Sequence, residues 1–286
     1  MIQVSVIIPT FNRSEKVAKA IQSVLLQTGA DYELIVVDDG SEDDTASKIK
    51  KKFPAVKYFF QANRGPAAAR NIGLKHARGK WIAFLDSDDE WTAGKLKAQL
   101  DFFEQNPDYA IAQTEEIWIR SGRRVNPMKK HQKSGGFIFE KCLPLCRVSP
   151  SAVMIHKEVF EVAGFFDESL PACEDYDLWL RVAARFPVGL ISKPYVIKYG
   201  GHSDQLSRRF PAMDRFRIQA LIKILKSGVL SPDQENAARK TLEEKSRIYI
   251  QGALKRAKEK EIAELREILP TVGAYCNPPA RLSADL

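Results

Sequence analysis

The chain has 286 residues, 44% of them hydrophobic and 28% charged, with a formal net charge of +8. This composition excludes a disordered chain and provides for one large domain, or one domain with an appendage. No apolar run reaches the roughly 18–20 residues that span a bilayer. The N-terminus, MIQVSVIIPTFNR, lacks the basic start and small-residue cleavage site of a signal peptide, so it reads as a core strand.

In chain order, Val4 to Ile8 is a β-branched run that predicts a buried strand. Asn12 is placed to cap the next helix, with Glu15 completing a capping box. That helix carries Val17, Ile21, Val24 and Leu25 at helical spacing. Leu34 to Val37 is a second strand and ends in Asp38, Asp39, Gly40 and Ser41; a helix follows through Ile49. Val56 to Phe60 is a third strand. The turn Asn63-Arg64-Gly65-Pro66 leads to a helix from Ala67 to about His76, and Lys80 to Leu85 is a fourth strand. Apolar strands alternating with amphipathic helices predict an α/β, Rossmann-like, mostly parallel sheet with flanking helices. Ligands of such sheets sit beyond the carboxyl ends of the strands. Three polar clusters fall there: Thr10 to Arg13, Asp38 to Ser41, and Asp86 to Asp89.

Further on, Ala110 to Arg120 predicts a strand, Phe137 to Leu145 a helical segment, and Ser151 to Ile155 a short strand. Glu158 to Ala163 and Asp175 to Phe186 predict helices, and Val188 to Ile197 a strand leading to His202. After Arg209 the pattern is all helix, an appendage in which Ser231-Pro232-Asp233-Gln234 is a strong start signal and Pro270 a stop. The expected division is residues 1–209 as one α/β domain in two halves (1–105 and 106–209), 210–270 as a helical extension and 271–286 as a tail.

Cys142, Cys146, Cys173 and Cys276 form no CxxC pair, so reduced thiols of a cytoplasmic protein are expected rather than disulfides or a thiolate metal site. Basic residues gather in Arg120, Arg123, Arg124, Lys129, Lys130 and Lys133, and again at Arg208 and Arg209. They suit anionic lipid or phosphorylated substrates, or form a plain solvated face. No helix-turn-helix, zinc finger or aromatic RNP-like strand accompanies them, so no nucleic-acid partner is expected.

WIAFLDSDDEW, Trp81 to Trp91, runs a core strand into four acidic side chains. Residues two apart on an extended strand share a side, so Asp86 and Asp88 would repel unless a cation sits beside them. Oxygen ligands of this kind suit Mg²⁺ or Mn²⁺, which share their shell with phosphates. Asp89 and Glu90 are expected in the solvated turn leading out, and Trp91 in packing. Asp-Ser-Asp alone occurs in many loops.

The set in order is specific. VSVIIPTFNR, VVDDGSEDDT, NRGPAAARNIGLKHARGKWIAFLDSDDEW and CEDYDLWLR together resemble the family 2 glycosyltransferases of the GT-A fold, over the chain to about residue 205. The helical C-terminus lies outside the resemblance. It implies transfer of a sugar from a nucleotide diphosphate donor, usually a UDP-sugar, to an acceptor hydroxyl with inversion, in surface polysaccharide or lipopolysaccharide synthesis. It places Pro9, Thr10, Asn12, Asp38 and Asp39 at the nucleotide, with Asp39 accepting from the base. Arg70 and Asn71 match the family's ARN near the nucleotide; Arg70 could offer a fork to a carboxylate or phosphate, or be a surface salt bridge. Asp86-Ser87-Asp88 matches the DXD motif, with Asp88 the direct metal ligand and Asp86 nearer the ribose or a metal-bound water. Glu174-Asp175 matches the acidic pair before a helix, with Asp175 the general base. His202 matches a late-loop histidine that completes a metal shell in some members, although KYGGH lacks an expected arginine. The resemblance implies a carbohydrate or lipid-linked acceptor. The basic, amphipathic C-terminal helices pack on the catalytic domain by default, and peripheral contact with the inner face of the cell membrane or a homodimer surface stays open. The alternatives are a non-catalytic nucleotide-sugar or carbohydrate-binding protein on the same fold, and a nucleotidyltransferase. A nucleotidyltransferase would need a Gly-rich, lysine-bearing loop after the first strand, and a dehydrogenase GxGxxG; PTFNRSEK is neither.

Overall fold

The structure, a computed structural model, describes residues 2–126, 128–201, 210 and 212–273. His202, Arg208, Arg209 and Cys276 lie outside the described residues. Strand β1 (Val4–Thr10) is buried along its whole length between β2 (Tyr32–Asp38) and β4 (Trp81–Phe84), both parallel to it. β3 (Lys57–Phe60) adds outside β2. The register sets Thr10 opposite Asp38, Asp38 opposite Phe60, and Ile7 opposite Phe84. β1, β2 and β3 therefore finish together, with β4 ending three residues short of Thr10, and the polar clusters that follow them share one edge of the sheet.

Helices α1 (Ser14–Leu25), α2 (Thr45–Lys52) and α3 (Pro66–His76) make the crossovers. α1 starts without the expected capping box: no side chain caps it, because Asn12 sits at φ +50° and turns elsewhere. α3 lies so close to β1 that a Cβ at Gly73 would meet Ile7 Cγ2 at 2.4 Å. Only glycine permits that approach.

The sheet becomes mixed beyond β4. The order is β3-β2-β1-β4-β8-β6-β9-β5, with β5 (Glu90–Trp91), β6 (Ile111–Arg120), β8 (Val153–His156) and β9 (Gly189–Gly200). β8 runs antiparallel to β4 and β6, and β9 runs parallel to β6 past a bulge at Thr114–Glu116. β7 (Arg123–Val125) folds back on β6 as a hairpin. α4 (Lys95–Gln105), α5 (Phe139–Cys142), α6 (Val159–Ala163) and α7 (Glu174–Ala183) cover the sheet. α5 is shorter than the expected Phe137–Leu145 segment.

The C-terminal helices are α8 (Asp214–Lys226), α9 (Pro232–Leu254) and α10 (Glu259–Ile268). The capping box of α9 forms as its sequence predicts: Gln234 N donates to Ser231 Oγ at 3.3 Å and Ser231 N to Gln234 Oε1 at 3.0 Å. Phe216, Leu221, Ala238 and Leu242 share one buried cluster with Tyr176, Leu180 and Phe84. Burial of each large side chain there contributes about 1.5–3 kcal/mol, so these helices cover core rather than hang from it. Among the described residues no helix is long and apolar enough to cross a membrane.

Candidate active site

A cavity of about 1330 Å³ opens over the carboxyl edge of β1, β2 and β4. The loop after β1 and the loop after β2 are tied to each other. Asn12 N donates to Ser41 Oγ at 2.8 Å, and Glu42 N donates to Asn12 Oδ1 at 2.8 Å. Asn12 thus braces two loops of the cavity floor in place of capping α1. Pro9 and Thr10 line the wall beside it, and the buried Thr10 Oγ1 has no hydrogen-bond partner among the described residues. An unpaired buried hydroxyl costs about 1–3 kcal/mol, an offset that a bound ligand can supply.

The adjacent aspartates divide. Asp38 is fully buried and accepts from Tyr58 Oη at 2.7 Å and Ser41 N at 2.8 Å, which makes it a brace of the loop. Asp39 lines the cavity and accepts from Gly65 N at 2.8 Å, Arg64 N at 2.9 Å and the Gln61 amide. Its carboxylate fixes the Asn63–Pro66 turn.

Arg70 is not on the surface. Its side chain is 5% exposed, with Nη1 2.6 Å from Glu174 Oε1 and Nη2 2.8 Å from Asp86 Oδ1. The guanidinium lies 5.2 Å from the Phe166 ring centroid. Burial tends to raise the Asp86 carboxyl, but Arg70 and Lys198 overcome it and hold the group below its ordinary range. At Glu174 burial prevails over Arg70, aided by the neighbouring Asp175, and the carboxyl is raised. Asn71 turns away from the cavity. It donates to Phe166 O at 2.9 Å and accepts from Phe166 N at 3.1 Å, anchoring the loop before α7.

The chain leaves extended geometry after Phe84, and Asp89 N closes a turn on Asp86 O at 3.0 Å. The alternation that would put Asp86 and Asp88 on one side is therefore lost. They are held by different arginines, Asp86 by Arg70 and Asp88 by Arg13 at 3.1 Å, and both still line the cavity. The expectation for Asp89 is overturned: it is 2% exposed, not solvated. Ser151 Oγ donates to Asp89 Oδ2 at 2.7 Å and Tyr199 N to Oδ1 at 3.2 Å. Asp86 N donates back to Ser151 Oγ at 3.1 Å, so one serine clamps both ends of the turn. Burial pushes the Asp89 carboxyl well above its usual range. Trp91 is packing, as expected, with Nε1 donating to Ser151 O at 2.8 Å.

Asp175 lines the opposite wall, in the first turn of α7. Cys173 precedes the helix in a left-handed conformation, φ +62°. Cys146 Sγ lies 3.6 Å from Asp175 Oδ2, and burial together with that carboxylate raises the thiol well above its ordinary value. Lys198, which the sequence pattern did not single out, and Lys133, read there only as part of a basic run, complete this side. Lys198, from β9, reaches Ser149 Oγ at 3.1 Å, and Glu116, Asp89 and Asp86 keep it charged against its burial. Lys133 is not on a solvated face; it is buried, 3.3 Å from Glu116 Oε1. Glu116 is held at about 2, against burial, by Lys133 and Lys198. Nothing in the local sequence of Lys198 or Glu116 marks them; only the β6–β9 pairing, Glu116 opposite Val196, brings them together.

Eight carboxylates and six lysines and arginines among the described residues line the cavity, which offers hard oxygen donors. Among the described residues no three His, Cys, Asp or Glu side chains gather as a metal site. A divalent cation fits here only if Asp86 and Asp88 share it with oxygens of a bound phosphate, as Mg²⁺ and Mn²⁺ commonly do.

A family model, glycosyl transferase family 2, matches residues 5–163. A Rickettsia felis protein described as an uncharacterized glycosyltransferase is 38% identical over 67% of this chain and 32% of its own length. The chain thus spans about a third of the first curated relatives it matches. The UDP-Glc:alpha-D-GlcNAc-diphosphoundecaprenol beta-1,3-glucosyltransferase WfgD of Escherichia coli is 34% identical over 63% of this chain and 69% of that one. Among solved structures, that of S. aureus TarS 1–349 in complex with UDP-GlcNAc superposes with a TM-score of 0.69 at 20% identity, over 85% of this chain and 72% of that one. The shared GT-A-type fold and the family match over more than half the sequence agree: this chain belongs to glycosyltransferase family 2.

Proposed function

We propose that this chain transfers a sugar from a nucleoside diphosphate donor, a UDP-sugar, to a hydroxyl of a lipid-linked saccharide, with inversion at the anomeric carbon. The observation that supports it most is the placement of Asp175 across the cavity from the 86–89 turn, with Arg70 joining the two sides. The names of the relatives favour this donor and acceptor: WfgD uses UDP-Glc and a GlcNAc-diphosphoundecaprenol, and TarS binds UDP-GlcNAc.

In this reading the base and ribose lie against Pro9, Thr10, Asn12 and Asp39, and the unpaired Thr10 hydroxyl gains a partner. Asp38 shapes the loop from behind. Asp86 and Asp88 would hold a Mn²⁺ or Mg²⁺ ion, which neutralises the diphosphate leaving group. Asp175 accepts the acceptor's hydroxyl proton as that oxygen attacks the anomeric carbon. The new C–O bond forms on the face opposite the breaking bond to the diphosphate, so an α-linked donor gives a β-linked product. Glu174, buried against Arg70, fixes the start of α7 and acts by positioning. Lys198 and Arg13 orient the carboxylates of the turn.

The test is release of nucleoside diphosphate from a panel of UDP- and GDP-sugars, with Mn²⁺ or Mg²⁺ and a GlcNAc-diphospholipid acceptor. Acceptor-dependent release from a UDP-sugar supports the reading. Tight binding of UDP-sugars without any turnover would replace it with a binding protein on the same fold.

A further inference from the structure

Ile117 to Phe139 is a stretch of 23 residues without one acidic side chain and with six lysines and arginines. It comprises the end of β6, the β7 hairpin and a short 3₁₀ turn at Lys129–His131. Lys133 is buried in the cavity wall, but Arg120, Arg123, Arg124, Lys129 and Lys130 are exposed. None of Arg123, Arg124, Lys129 and Lys130 is in an ion pair among the described residues, whereas cations elsewhere on the surface, such as Lys97 and Arg239, are. The stretch also exposes two large apolar side chains, Met128 at 56% and Phe137 at 77%.

This basic stretch continues the wall of the cavity. Trp118, which pairs with Val125 across the hairpin, and His131 both line the cavity, their rings 5.4 Å apart. Arg120 lies 5.7 Å from the Trp118 ring. Arg147, another lining residue, bonds the Gln132 carbonyl and so fixes the 3₁₀ turn to the Asp175 side of the cavity. The exposed cations thus stand at the lip: Lys129 and Lys130 on the Asp175 side, and Arg123 and Arg124 just past the hairpin tip, where Ser121 and Gly122 share a small pocket with Lys16, Asp88 and Asp89.

We infer that this lip is a docking surface for an anionic lipid bilayer, which it grips through Arg123, Arg124, Lys129 and Lys130 so that the mouth of the cavity faces the headgroup layer. Each lysine or arginine near an anionic leaflet adds attraction that decays within a Debye length, and exposed cations gathered along the hairpin and the 3₁₀ turn add their attractions. Exposed apolar side chains in the same stretch suit the acyl boundary and have no use on a nucleic-acid backbone. The inference rests on the proposed lipid-linked acceptor and adds how that acceptor is reached. It assigns the contact to the hairpin rather than to the C-terminal helices.

The test is co-sedimentation of the full chain with vesicles of phosphatidylcholine alone, or with 30% phosphatidylglycerol, in 0.1 M NaCl. These vesicles hold no acceptor, so the result does not depend on catalysis, and the sugar-nucleotide panel judges the transfer reading separately. The expected result is pelleting with the anionic vesicles only, reduced more than tenfold by combining Arg123→Glu, Arg124→Glu, Lys129→Glu and Lys130→Glu. A matched reversal of Lys240, Arg247, Lys255 and Lys260 to glutamate should change it less than twofold. Should the hairpin reversal fail to fold by circular dichroism, the milder pair Lys129→Gln and Lys130→Gln is expected to weaken pelleting at least threefold. No pelleting of the wild type, equal loss in both charge reversals, displacement by 10 mM inorganic phosphate, or tighter binding to a single-stranded oligonucleotide would each overturn it.

Discussion

Arg70 and Glu174 stand 104 positions apart in the chain and 2.6 Å apart in space, and both side chains are 5% exposed. Through this contact, and its other contact to Asp86, Arg70 joins the strand-end turn of the first half to the helix that carries Asp175. Replacing it with alanine leaves the buried Glu174 carboxyl without its partner and leaves Asp86 to Lys198 and Arg13. Breaking a buried ion pair from one side costs about 3–5 kcal/mol. Arg70→Ala should therefore lower the melting temperature by roughly 10 °C and abolish turnover. Arg70→Lys, which has no fork to span both carboxylates, should recover part of the stability and little of the activity.

The clamp on the 86–89 turn makes a second prediction. Ser151→Ala removes the donor to Asp89 and the acceptor for Asp86 N. It leaves buried polar groups unsatisfied at a cost of about 1–3 kcal/mol. A Mn²⁺ titration should show weaker metal and UDP affinity in Ser151→Ala and in Asp89→Ala, although neither residue is placed on the metal. Asp88→Asn should weaken metal affinity with no comparable loss of melting temperature.

Gly73 offers a purely steric test. A methyl group there would lie 2.4 Å from Ile7 Cγ2, on a strand that is buried throughout. Overpacking of this kind costs about 1–3 kcal/mol. Gly73→Ala should lower the urea midpoint accordingly, and adding Ile7→Val should recover part of the loss.

Acid sensitivity follows from Glu33. Burial would raise its carboxyl, yet bonds from Lys57, Ser5 and Arg78 hold it at about 2, below the ordinary 4.5. A carboxyl lowered on folding stabilises fully above its unfolded value, and that stabilisation is lost as pH falls through its folded value. Urea midpoints of the wild type should thus fall between pH 4.5 and 2. Glu33→Gln should start less stable at pH 6 and show a flatter decline over that window.

The four strands of the first half, their order of appearance and the polar edge they share were legible because each strand is a mostly apolar run followed by a turn signal. The mixed half was less so: β5 is two residues long, and β8 pairs with β4 and β6 across long sequence gaps, which periodicity does not record. Asp86, Asp88 and Asp175 were legible as a set through the resemblance, and all three line the cavity. Reading Asp86 and Asp88 as strand neighbours failed because the turn begins one residue sooner than the apolar run suggests. Asp89 looked solvated because acidic residues usually are, and only the tertiary approach of Ser151 and Tyr199 buries it. Lys198 was invisible as a site residue for the same reason, since its carboxylate partners come from other strands, and Lys133 was legible only as part of a basic run.

The proposed chemistry rests most directly on Asp175. The decisive measurement is the initial rate of acceptor-dependent UDP release by Asp175→Asn and the wild type, with UDP affinity determined in parallel. Loss of the general base should lower the rate by about 10²–10⁴-fold, with UDP affinity and melting temperature unchanged. Turnover by Asp175→Asn at the wild-type rate would contradict the assignment of the base, and with it the proposed transfer mechanism.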